Sequence, residues 1–145
     1  MNHTNYFEFF NISTSIIIDI DELEEKYIAK QNDSNTNDDE KNHANQYYKI
    51  LRNDVQRFEH FCDINKINLN TEVNQNFLFR FYELNEEIEE MDSDKQKSKL
   101  KELKNKLKTI FIQISDLHSQ NEINKVLELY VEAKYINRIL ENYRK

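Results

Sequence analysis

Not one of the 145 residues is glycine or proline. A chain without glycine has no low-cost residue for turns with φ above zero, so such turns fall to Asn or Asp. A chain without proline has no ring to break a helix. Asn occupies 20 positions. Together these features predict an all-α fold with Asn at helix ends. They also exclude any glycine-rich phosphate-binding loop.

Charge narrows the function classes. The net charge is −7, which disfavours a phosphate backbone as partner unless a basic patch forms locally. The densest candidate, KQKSKLKELKNKLK (95–108), spreads its lysines around the polar face of a helix and reads as a solvated face. No apolar run approaches the ~20 residues of a membrane span; SIIIDI (15–20) is far too short. The N-terminus shows no signal peptide or Arg-rich presequence, so a bacterial cytoplasmic setting is expected, with a mitochondrial or mitosomal matrix as the alternative. The single Cys62 cannot form an internal disulfide and suits a reducing compartment. Neither nucleic acid nor membrane is expected as a partner.

Apolar spacing divides the chain into two halves. In the first, NYFEFFNI (5–12) predicts a short helix with Phe7 and Phe10 on one side. A second helix starts near Asp19 or Asp21, with Leu23 and Tyr27 on its inner edge. The polar stretch QNDSNTNDDEKN (31–42) predicts a loop. A third helix, from about His43 to Cys62, carries the stripe Tyr48, Leu51, Val55, Phe58 and Cys62. The expected organisation is a first domain over 1–62, a linker over 63–71 and a three-helix bundle over 72–145.

The bundle's first helix is placed over about 72–91. Two sequences of capping-box type, Ser93-Asp94-Lys95-Gln96 and Ser119-Gln120-Asn121-Glu122, are read as the starts of the next two. The middle helix carries Leu100, Leu103, Leu107, Ile110, Ile114 and Leu117 at 3–4 spacing. Short connections imply antiparallel packing.

FLFRFYELNEEIEE (77–90) holds more large apolar side chains than one helix face can use. At ~100° per residue, Val73, Phe77, Phe81, Leu84, Ile88 and Met91 fall within about 40° of Phe77 and complete a core stripe. Leu78, Tyr82 and Phe79 lie at about 100°, 140° and 200°, beside Glu86 and Glu83. On the last helix, Ile123, Val126, Leu127, Tyr130, Ala133 and Leu140 form the inner stripe, and Tyr135 lies roughly opposite, near Val131 and Ile139. Geometry leaves two readings of the second patch: it packs on another part of the chain, or it docks a partner.

Several segments resemble one family, the HscB-type J co-chaperones of iron–sulfur cluster assembly. NYFEFF resembles the family's opening Asp-Tyr-Phe-x-Leu-Phe helix. NQYYKILRNDVQRFEHF (45–61) is similar to its Asn-x-Ala-(Tyr/Trp)-x-x-Leu helix, FLFRFYELNEEIEE to its Phe-Leu-Met segment, and AKYINRIL (133–140) to its ending. The resemblance implies a degenerate three-helix J-like domain that engages a DnaK-type (HscA-like) chaperone. It implies a C-terminal bundle that binds the IscU-type scaffold on which clusters are built. The scaffold-binding positions match Leu78, Phe79, Tyr82, Glu83, Glu86 and Tyr135, and this favours the partner reading. The other reading is a generic helical structural protein whose likeness reflects biased composition.

Two departures stand out. The family's His-Pro-Asp tripeptide is absent, because there is no proline. The second helix, basic in J domains, reads DELEEKYIAK (21–30), with Lys26 and Lys30 outnumbered by acids. Both predict weak or lost stimulation of a chaperone ATPase. His3, His43, His60 and His118 show no metal-ligand spacing, and the carboxylate pairs Glu86-Glu87 and Glu89-Glu90 point apart on a helix. No cofactor, metal or enzymatic activity is expected.

Overall fold

The computed structural model describes residues 4–69 and 75–143. Every element among them is helical. The chain divides into two compact units, Met1–Leu69 and Asn70–Lys145.

In the first unit, α1 (Tyr6–Phe9) is a single turn capped by the Asn5 side chain. Four residues cannot hold a helix by themselves. Tertiary burial holds this one: Phe7 and Phe10 are fully buried, each contributing about 1.5–3 kcal/mol. α2 (Ile20–Asn32) starts after Asp19, whose carboxylate accepts from the amides of Asp21 and Glu22. Leu23 is buried, and the Tyr27 ring stacks on Tyr48 with centroids 4.2 Å apart.

The third expected helix is two helices. α3 (Asp38–Arg52) begins five residues before His43, because the Asn37 side chain caps the Glu40 amide and three acids occupy the first turn. The loop therefore shrinks to 33–37. α3 ends at Asn53, which also caps α4 (Asp54–Ile64) by accepting from Gln56 N–H. Arg57 stabilises this break. Its guanidinium donates to the Leu51 carbonyl (2.8 Å), the Ile16 carbonyl (2.9 Å) and the Asp54 carboxylate (2.6 Å). One buried side chain thus satisfies a carbonyl freed at the break and ties the segment before α2 to it. The expected stripe survives across the break, with Leu51, Val55, Phe58 and Cys62 all buried.

The second unit contains α5 (Gln75–Glu90), α6 (Ser93–Ser119) and α7 (Ile123–Asn142). The expected start at 72 and the stripe position Val73 lie outside the described residues. Both capping assignments are displaced. Asp92, not Ser93, caps α6 by accepting from Lys95 N–H, and the Gln96 amide turns back to the Ile88 carbonyl. Ser119 closes α6, with its hydroxyl donating to the Asp116 carbonyl. Asn121 then takes φ of 62°, and α7 starts after Glu122 without a side-chain cap. The αL residue turns the chain before a capping box can form, so the second motif spans a helix end rather than a start. Asn11 and Lys66 also adopt positive φ; among the described residues, Asn takes two of the three positions that glycine would ordinarily fill.

The core of this unit runs along α6 through Leu103, Leu107, Ile110, Phe111 and Ile114, and along α7 through Val126, Tyr130, Ala133, Ile136 and Ile139. Ile123, expected on the inner stripe, is 40 % exposed because α7 begins there.

Candidate functional site

α5 is the least buried helix of the bundle. Ile88 alone is fully buried; Phe77, Phe81, Leu84 and Met91 are half-buried. These five lie where the helical projection puts the core stripe. On the other side, Phe79 is 65 % and Tyr82 57 % exposed, Glu83 and Glu86 are exposed, and Leu78 is half-buried. Two aromatic rings held in water on one helix, rimmed by carboxylates, form the main apolar projection of this unit.

Tyr135 does not belong to that projection. Its exposure is 9 %, and the expectation that it turns outward is overturned. Its ring packs against Phe81, with centroids 4.7 Å apart, and against Phe77 at 5.6 Å. The Arg138 guanidinium lies 5.3 Å from its centroid. The reason is that α7 is covered on two sides. Val126, Tyr130 and Ala133 lie on one arc and Tyr135 and Ile139 on another, so a projection with one inner stripe misplaces the second arc. Of the six candidate residues, five lie on α5 and the sixth sits beneath that helix, against its core stripe.

A cleft of about 330 Å³ opens between α5, α6 and α7. Tyr135, Phe77 and Phe81 line it, with Arg80, Lys106 and Glu132 at its polar edge. Lys106 Nζ and Glu132 Oε1 pair at 2.9 Å. Sequence inspection missed this cleft; the pairing joins residues 26 positions apart, a separation no local pattern reports.

In the first unit, a ladder of rings joins α1 to α3 and α4. Tyr6 stacks on Tyr47 and on His60, each at 3.9 Å, and His43 stacks on Tyr47 at 5.6 Å. His60 Nε2 accepts the Tyr6 amide at 3.1 Å. His43 therefore lies inside α3 on an aromatic neighbour, away from the 33–37 loop. On α2, the Lys30 ammonium sits 4.3 Å from the Phe9 ring centroid, while Glu22, Glu24 and Glu25 are exposed. Burial pushes the Cys62 thiol up to about 12, and the nearby Glu59 carboxylate adds to the shift. Burial likewise raises Tyr6, helped by Tyr47 and Asp63.

Among the described residues no group of His, Cys, Asp and Glu could hold a metal ion, and no helix is long and apolar enough to cross a membrane.

Residues 73–144 match the family model for the HSCB C-terminal oligomerisation domain. The whole fold is similar to that of chaperone HscB from Vibrio cholerae, at 18% identity and a TM-score of 0.70, covering 96% of this chain and 94% of that one. It is also similar to human co-chaperone protein HscB, at 20% identity and a TM-score of 0.72, covering 96% of this chain and 80% of that one. No curated protein sequence matches the chain.

Proposed function

Since the chain belongs to the HscB family of co-chaperones, we propose that its bundle docks an IscU-type scaffold through Leu78, Phe79, Tyr82, Glu83 and Glu86. A co-chaperone role in iron–sulfur cluster assembly goes with the family. The scaffold as binding partner, and its delivery to a DnaK-type (HscA-like) chaperone, are our reading. One observation carries it: Phe79 and Tyr82 are 65 % and 57 % exposed on a helix whose core stripe is complete without them. Leu78 adds partly accessible aliphatic surface beside them.

The mechanism is docking without bond chemistry. Three apolar side chains, each releasing ~1.5–3 kcal/mol on full burial, are anchors of an interaction of modest affinity, because the association cost takes up most of that gain and the polar rim must supply the rest. Glu83 and Glu86 orient the partner by charge and steer encounter. Tyr135 contributes from beneath, setting the pose of α5 through Phe81 and Phe77.

Delivery to the chaperone is weakened in this reading. The 33–37 loop has neither His nor Pro. The acidic face of α2 repels an acidic partner surface, and Lys30 is engaged with Phe9. Isothermal titration of the full chain with an IscU-type scaffold tests the docking. Saturable binding near one-to-one supports it; absence of binding at hundreds of micromolar contradicts it.

A further inference from the structure

We propose that the cleft between α5, α6 and α7 is a second binding site, one that takes a small carboxylate with an apolar body, such as a medium-length alkyl acid. This inference is independent of scaffold docking. Relative to Phe77, Arg80 projects at about −60° while Leu78 and Tyr82 project at about +100° and +140°, so the cleft opens on the other flank of α5.

Packing is the first argument. Helical cores are ordinarily filled to crystal-like density. Here Phe77, Phe81 and Leu84 are only half-buried, and with Leu103, Tyr135 and Ile136 they line a solvent-open cleft of about 330 Å³. An apolar body seated there would remove these rings and methyls from water, releasing about 25 cal/mol per Å² covered. The volume is at the small end of the range for small-molecule sites, ~300–1,000 Å³, which favours a compact ligand.

Charge is the second. The lining carries two cations, Arg80 and Lys106, and one carboxylate, Glu132, leaving one positive charge. Lys106 is paired with Glu132. Arg80 is exposed and has no ion-pair or hydrogen-bond partner among the described residues. A guanidinium beside an aromatic floor matches a carboxylate on a short apolar chain, which Arg can hold with two parallel hydrogen bonds. An alkyl ammonium has the wrong sign, and an alcohol leaves Arg80 unpaired.

The test uses octanoate, below its micelle-forming concentration, titrated into the full chain and followed by the methyl resonances of Leu84, Leu103 and Ile136. Saturable shifts concentrated at these methyls are expected. So are weaker binding of 1-octanol, no binding of octylammonium, and an affinity loss of roughly fivefold in Arg80→Gln. Leu84→Phe, which fills the cleft, should abolish the shifts. If that variant misfolds, the exposed Arg80→Glu must still reverse the preference toward octylammonium. Octanol binding as well as octanoate, shifts scattered over unrelated apolar residues, or no saturable response at millimolar octanoate would overturn the proposal.

Discussion

The Tyr135 ring lies 4.7 Å from that of Phe81, joining α7 to the inner face of the helix whose outer face carries Phe79 and Tyr82. Tyr135 is therefore a support for the docking surface. Tyr135→Ala should cost the bundle about 3 kcal/mol, as for other buried aromatic truncations. Tyr135→Phe should stay within ~0.5 kcal/mol, since the ring carries the contact. Urea denaturation of both variants, read beside their scaffold affinity, checks this: affinity should fall only with stability.

Arg57 is the one buried charged side chain recorded among the described residues, and three acceptors meet it. Arg57→Met should destabilise the first unit by about 3–5 kcal/mol, because Asp54 and two carbonyls lose their donor. Arg57→Lys should rescue little, since an ammonium cannot reproduce the fork. Chemical denaturation monitored by tyrosine fluorescence gives the answer.

Alkali should weaken the fold through Cys62. The unfolded thiol ionises near its ordinary 9.0, the folded one at about 12. Between these values the unfolded chain has released a proton that the folded chain retains, so stability falls as pH rises from about 9 toward 12. Tyr6, also raised, adds to the fall in the same direction. Cys62→Ala should flatten the decline in unfolding free energy measured across pH 8.5–10.5. At pH 8 the native thiol should resist iodoacetamide until the chain unfolds.

Stimulation of a DnaK-type ATPase should be at least tenfold weaker than that of an ordinary J protein in a single-turnover assay. Converting Asp21, Glu24 and Glu25 to Lys should not restore it, because the 33–37 loop still has neither His nor Pro. Stimulation matching an ordinary J protein would overturn this.

Much of the fold was legible because burial follows helical periodicity. The stripe from Leu51 to Cys62 and that from Leu103 to Ile114 both lie in the core. Helix ends were less legible. A Ser followed three residues later by Gln or Glu resembles a capping box at 93–96 and at 119–122, yet Asp92 outcompetes Ser93 one position earlier, and Asn121 turns the chain in the left-handed region. The break at Asn53 was hidden because the apolar stripe continues through it; its signal was Asn53 itself, with Arg57 four residues on. On α5 the projection placed Phe79 and Tyr82 outward, where they are. On α7 it failed for Tyr135, since a helix covered on two sides has no single inner face.

The most direct measurement is calorimetric titration of an IscU-type scaffold into the wild-type chain, Phe79→Ala, Tyr82→Ala and the double variant. Both residues are exposed, so thermal stability should hold within a few degrees. Affinity should fall roughly tenfold for each single variant and beyond detection for the double. Wild-type affinity in the double variant, with the bundle folded, would contradict the account.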